Sequence, residues 1–196
     1  MRKIVFATGN QGKLKEIKAV LGDKFEVVSM KDMGIDIDIE ENGKTFEENA
    51  IIKAETVAKA CGEIVLADDS GLEVDYLDKK PGVYSARYMG EDTPYTIKNQ
   101  KIIELLDGVS DDKRTARFVC AVAAAAPDME TLVVRETMEG IIGRESAGEN
   151  GFGYDPIFYL PEFGKTSAEI SMEEKNKISH RGKALRAMRD KLSEVL

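Results

Sequence analysis

Apolar positions follow three different periods along this chain. Ile4-Val-Phe-Ala7 is an unbroken apolar run and predicts a strand buried on both faces. Leu14, Ile17, Val20 and Leu21 then recur at helical spacing, so the opening reads as strand, glycine loop, helix. Phe25 to Met30 predicts a second strand. Ile35-Asp-Ile-Asp-Ile-Glu40 alternates strictly, which predicts an extended segment with three isoleucines on one face and Asp36, Asp38 and Glu40 on the other. Thr45-Phe-Glu-Glu48 is a capping box. Behind it Ala50, Ile51, Ala54, Val57, Ala58 and Cys61 form a buried stripe that Gly62 closes.

Ile64-Val-Leu-Ala67 is again apolar throughout and predicts a short central strand. It stops on Asp68, Asp69, Ser70 and Gly71, and Leu72 to Leu77 resumes as another strand. Pro81 to Tyr88 reads as an ordered loop or short helix. Thr93-Pro94 opens a helix through Ile97, Ile102, Leu105 and Leu106 to Gly108. Arg117–Ala126 and Leu132–Ile142 predict two long antiparallel strands turned by Pro127-Asp128. Ser171–Lys177 and Ser179–Leu196 predict a helical turn and a closing helix. Strands alternating with helices place the chain in the α/β class.

With 196 residues, 42% of them hydrophobic, one ordinary domain with a real core is expected. The net charge of −8 argues against general binding to nucleic acid or to anionic membranes, both of which need surplus Lys and Arg. No stretch is long enough to span a bilayer, and Met1 to Ala7 is too short an apolar run for a signal peptide, so a soluble cytoplasmic protein is expected. Cys61 and Cys120 read as free buried thiols, and a single His180 excludes a multi-histidine zinc site.

Candidate chemistry collects at four places. Two adjacent carboxylates after a buried strand are costly unless positive charge sits beside them, and ligands of open α/β sheets bind beyond strand ends. Thr8-Gly-Asn-Gln-Gly-Lys13 can present backbone N–H groups to a phosphate at a helix N-terminus. Lys13 and Lys15 lie where the helix dipole disfavours cations, a broken local rule that points to function. Lys53 shares a polar helix face with Asn49 and Thr56 and is within reach of a phosphate. Gly148-Glu-Asn-Gly-Phe-Gly-Tyr-Asp-Pro156 surrounds Phe152 with three glycines, which lets a flat ligand approach the ring. No Gly-x-Ser-x-Gly elbow exists to make His180 part of a triad.

Six stretches in order resemble one family: Thr8-Gly-Asn-Gln-Gly-Lys13, Thr45-Phe-Glu-Glu-Asn-Ala50, Ala67-Asp-Asp-Ser-Gly-Leu72, Pro81-Gly-Val-Tyr-Ser-Ala-Arg87, Gly151-Phe-Gly-Tyr-Asp-Pro156 and Glu174-Lys-Asn-Lys-Ile-Ser-His-Arg181. Over essentially its whole length the chain resembles the inosine triphosphate pyrophosphatase family, the XTP/dITP pyrophosphatases that remove noncanonical purines from the nucleotide pool. The resemblance implies an elongated, two-lobed α/β fold: a long central mixed sheet, flanking helices, and a nucleotide cleft between the lobes. It also implies hydrolysis of ITP, dITP or XTP to monophosphate and pyrophosphate with Mg²⁺, by a homodimer.

By the same resemblance Asp69 is the catalytic, metal-binding acid; strand alternation alone does not choose between Asp68 and Asp69. Glu40 falls at the second metal carboxylate, with Glu41 as the alternative. Lys13 and Lys53 match triphosphate-binding lysines; Thr8, Gly9, Asn10, Gln11 and Gly12 match the phosphate cradle; Ser70 matches a substrate contact. Phe152, Gly153, Tyr154 and Asp155 match the base and sugar pocket. Lys175, His180 and Arg181 match donors to the purine 6-oxo edge. A non-hydrolysing nucleotide-binding regulator, or a pyrophosphatase for other modified nucleotides, are the competing expectations.

Overall fold

The computed structural model describes residues 1–196. In chain order the elements are β1 (Arg2–Phe6), α1 (Gln11–Leu21), β2 (Phe25–Ser29), α2 (Phe46–Cys61), β3 (Val65–Val74), β4 (Lys80–Pro81), α3 (Tyr95–Leu105), β5 (Thr115–Ala126), β6 (Met129–Ile142), β7 (Phe158–Leu160), β8 (Lys165–Thr166), α4 (Met172–Ile178) and α5 (His180–Val195). The sheet runs β2-β1-β3-β5-β6-β7-β8, with β4 paired to β3. β1 is parallel to β2 and to β3, whereas β3–β4, β6–β7 and β7–β8 are antiparallel, so the sheet is mixed. No helix is long and apolar enough to cross a membrane.

Two compact units divide the chain. One is Met1–Ser70, Cys120–Glu136 and His180–Leu196; the other is Gly71–Val119 and Thr137–Ser179. Each has its own core. The first packs Ile4 and Phe6 of β1, Ile17 and Leu21 of α1, Leu66, Cys120 and Val122 against Leu185, Met188 and Leu192 of α5. The second gathers Leu72 and Val74, Ile102 and Leu106, Phe118, Ile157 and Phe158. Each fully buried Leu, Ile or Phe contributes about 1.5–3 kcal/mol.

Local signals mostly decide the helices. Asn10 caps α1 by accepting from the Lys13 N–H. Thr45 caps α2 by accepting from the Glu48 N–H, and Gly62 ends it in the left-handed region at φ 68°. The Glu48 carboxylate reaches back one residue further than the capping-box pattern, to the Lys44 N–H. Ser171 and Glu174 form the full reciprocal box on α4.

Two expectations fail. Residues 35–40 are not a strand, although Ile35, Ile37 and Ile39 are half-buried while Asp36, Asp38 and Glu40 are exposed. The sheet ends at β2, so this segment keeps its two-residue periodicity without a strand to pair with. The second failure matters more. Asp68-Asp69-Ser70-Gly71 does not end a strand: β3 runs unbroken from Val65 to Val74, and the acids lie in its middle. A strand carries two buried acids through its centre only if their charges are met from outside it.

Candidate active site

Successive residues of β3 face opposite ways, so Asp68 and Asp69 enter different surroundings. Asp68 is 1% exposed. Its carboxylate accepts from Lys13 Nζ at 3.2 and 3.3 Å and from Arg181 Nε at 3.2 Å. The Arg181 guanidinium also donates from Nη1 to Glu16 Oε2 at 2.6 Å and from Nη2 to Ser70 Oγ at 2.9 Å. Two carboxylates and two cations thus close a buried cluster of no net charge. Burial pushes the Asp68 carboxyl up, but Lys13, Arg181 and Lys53 outweigh it and hold the group well below the usual carboxylate range. Burial likewise opposes the Arg181 charge, and Asp68 and Glu16 more than restore it.

Asp69 differs in kind. Asn49 Nδ2 donates to its Oδ2 at 3.1 Å, and the Ser70 N–H donates to Oδ1 at 3.1 Å. Lys53 Nζ stands 3.8 Å from Oδ1 and pairs more closely, at 3.0 Å, with Glu41 Oε2. Burial is the largest influence and Glu41 adds to it, so the Asp69 carboxyl rises above its ordinary value despite Lys53 and Asn49. Of two neighbouring acids, one is a locked counter-ion and the other a carboxylate of raised basicity. Such separation is how paired carboxylates take different roles.

The loop from Thr8 to Lys13 lies beside this cluster in sequence and is open at its tip. Gly9, Asn10, Gln11 and Gly12 are exposed, and the loop is shaped by the Asn10 N–H donating to Thr8 Oγ1 at 3.1 Å. It leaves the first turn of α1, which has no acidic residue, facing outward. Helix N-termini of this kind hold phosphate through backbone N–H groups and the dipole.

The second unit carries the aromatic loop. Asp155 is buried and accepts from Lys175 Nζ at 2.6 Å, Ser167 Oγ at 2.7 Å and the Phe152 N–H at 2.9 Å. Gly151 and Gly153 flank Phe152 at φ 72° and 66°. A Cβ on Gly151 would stand 2.2 Å from Asp155 Oδ2, so only glycine lets the loop close on that carboxylate. Phe152 stays 40% exposed, and Lys175 Nζ lies 5.1 Å from its ring centroid. Tyr154 is buried and donates from its hydroxyl to Ser85 O at 2.6 Å.

The candidates therefore separate into two sets. Lys13, Lys53, Asp69, Ser70 and Arg181 meet in the first unit; Phe152, Gly153, Tyr154, Asp155 and Lys175 meet in the second. His180 is buried at the start of α5, beside Arg181 in sequence. Glu40 is exposed, while Glu41 is the acid that reaches Lys53. Arg181 is held by Glu16, Asp68 and Ser70, partners that the family resemblance did not assign to it. Sequence reasoning passed over Glu16, and it placed Asn49 on the Lys53 face without giving it the contact with Asp69. Asn49 had a signal, because it stands four residues before Lys53 on one helix face. Glu16 had none, being an acid among the buried positions of α1.

The Ham1 family model matches residues 4–191. A curated dITP/XTP pyrophosphatase of Bacillus licheniformis is 50% identical over all of this chain and 98% of its own length. The dITP/XTP pyrophosphatase of Bacillus subtilis is 49% identical over the same shares. Among solved structures, the Staphylococcus aureus Ham1 protein matches over the whole of both chains with 45% identity and a TM-score of 0.90. A Mycobacterium abscessus nucleoside-triphosphatase / dITP/XTP pyrophosphatase matches 95% of this chain and 98% of its own at 42% identity, with a TM-score of 0.76. The chain belongs to the Ham1 family.

Proposed function

We propose that this protein hydrolyses noncanonical purine nucleoside triphosphates (ITP, dITP and XTP) to the monophosphate and pyrophosphate. Relatives named dITP/XTP pyrophosphatase at about half identity over the full chain support the reaction class. The observation that carries the chemistry is the unlike pair Asp68 and Asp69. Attack on the α-phosphorus with pyrophosphate leaving needs positioning and charge neutralisation more than covalent help. Asp69, the more basic acid, orients and deprotonates the attacking water. Lys13, Lys53 and the N–H groups of Gly9, Gln11 and Gly12 hold the phosphate oxygens; those of Thr8, Asn10 and Lys13 shape the loop. Asp68, Glu16 and Arg181 keep Lys13 and Ser70 in place.

A divalent ion fits the donor set. No group of three or more His, Cys, Asp or Glu side chains converges, but Mg²⁺ needs only one or two carboxylates beside substrate phosphates. Asp69 and Glu41, both reaching Lys53, are the pair that would hold it; exposed Glu40 is the weaker choice. Bound there, Mg²⁺ would supply charge neutralisation to the triphosphate.

Phe152 stacks the base, which at about 1–3 kcal/mol per base is a useful share of nucleotide affinity. Lys175 Nζ lies over that ring and is a donor suited to a 6-oxo group. A site built to donate to that oxygen leaves its donor unpaired against the adenine amino group. We place the active form as a cytoplasmic homodimer, which light scattering tests as twice the chain mass. Phosphorus NMR with Mg²⁺ and dITP, with dATP and dGTP in parallel, tests the reaction. Pyrophosphate and dIMP from dITP alone are expected; orthophosphate, or equal turnover of dATP, overturns the reading.

A further inference from the structure

Two consecutive side chains of α3, Lys98 and Asn99, are buried although both are polar: Lys98 is 0% and Asn99 3% exposed. Each reaches a different loop. Lys98 Nζ donates to Ala86 O at 2.8 Å and lies 4.7 Å from the Tyr95 ring centroid. Asn99 Nδ2 donates to Gly153 O at 3.1 Å, the carbonyl of the residue after Phe152. The circuit closes through Tyr154, whose hydroxyl donates to Ser85 O at 2.6 Å and whose ring meets the edge of Tyr95 at 5.2 Å. Helix α3 thereby ties the Gly82–Tyr88 stretch and the Phe152 loop into one assembly.

Asn99 is the telling member. Its Oδ1 is buried without any hydrogen-bond partner, so the amide makes one side-chain bond, the one to Gly153. Turning the amide over would set Oδ1 against the Gly153 oxygen, so the bond also fixes its orientation. A buried acceptor left unpaired is a standing cost. Leucine, with the same number of side-chain heavy atoms, would avoid that cost, lose the tie to the loop and leave the half-buried Gly153 O to water. On stability alone, then, asparagine is the poorer residue here, and its tie to the loop is what it adds.

We infer that Asn99 is a positioning residue for base recognition: through Gly153 it fixes the loop that presents the Phe152 ring to the purine. The inference rests on the reading of Phe152 as the base-stacking ring. It assigns Asn99 no contact with the phosphates.

The test uses the full chain with Mg²⁺ and two product inhibitors, dIMP for the base end and pyrophosphate for the phosphate end. Asn99→Leu is expected to keep or raise the Tm. It should raise the KM for dITP and the dIMP inhibition constant about tenfold, the loss of an ordered stacking surface. The kcat and the pyrophosphate constant should hold. Equal rises in the dIMP and pyrophosphate constants would mean a general structural role and overturn the inference. So would an unchanged dIMP constant. Asn99→Ser serves if the leucine variant does not fold. Phe152→Ala is the control: if it leaves the dIMP constant unchanged, the base-stacking reading itself fails. In the Phe152→Ala background, Asn99→Leu is expected to add nothing to the dIMP constant, since both act through one ring. A further rise there overturns the inference while leaving the stacking intact.

Discussion

Asn substitutions at the two neighbouring acids should have opposite consequences. In Asp68→Asn the buried cluster keeps Lys13 and Arg181 but has only Glu16 to balance them. Removing one partner from a buried ion pair costs about 3–5 kcal/mol. At about 2–4 °C per kcal/mol for a chain of this size, the Tm should fall by about 6–20 °C. The linkage sign agrees. The folded pKa of Asp68 lies below its unfolded value of 3.8, so the stability it gives is complete above that value and is lost as the pH falls below it. Asp69 has the opposite sign: its folded pKa is raised, so its charge weakens the fold at neutral pH and Asp69→Asn relieves that. Its Tm should hold or rise, while kcat falls about 10²–10⁴-fold with the loss of the general base. Thermal melts at pH 7 and pH 2.5 beside dITP turnover read both effects. Similar Tm losses in the two variants, or near-normal turnover by Asp69→Asn, would refute the division of roles.

Three further outcomes follow from the same geometry. Lys53→Met removes the cation that opposes the rise of the Asp69 pKa; kcat/KM should fall about a hundredfold, and the acid limb of its pH profile should move upward. In the metal-free, unaltered protein the Asp69 carboxyl should titrate above the 3.8 of an ordinary aspartate, read by pH-dependent NMR, and titration at or below that value would refute burial as its dominant influence. Chelation should abolish turnover and Mg²⁺ restore it, with Glu41→Gln raising the Mg²⁺ concentration at half-activity about tenfold or more; Glu40→Gln having the larger effect would reverse the choice of metal carboxylate.

The elements were legible where one local signal sufficed. The caps at Thr45 and Gly62 bounded α2, and the unbroken apolar run announced β1. The misreadings occurred where long-range charge decided the outcome. Asp-Asp-Ser-Gly has the composition of a turn, and nothing within ten residues says otherwise. It is held extended by Lys13, 55 residues before Asp68, and Arg181, 113 residues after it. Separation in sequence also hid the partners of Arg181: Glu16 and Ser70 lie 165 and 111 residues away. Residues 35–40 erred in the other direction, since their alternation was real but a strand also needs a partner edge.

Motif order picked out residues that meet in the folded chain, but it could not apportion the work among them. Asp68 and Asp69 are chemically identical in sequence, and only the environment separates them. Lys13 and Arg181 turn one into a fixed counter-ion, while burial and Glu41 raise the basicity of the other. The lysine that breaks the helix-dipole preference at the start of α1 is explained by the same contact. Lys13 is there because Asp68 must be ionised inside the fold, and that salt bridge offsets an unfavourable dipole term of about 0.3–1 kcal/mol. A local rule broken at Lys13 and a buried charge at Asp68 are thus one feature seen from two ends. Charge-reversing both, Lys13→Asp with Asp68→Lys, should restore part of the stability lost by either alone; turnover should stay low, because the phosphate would then meet a carboxylate at the helix N-terminus.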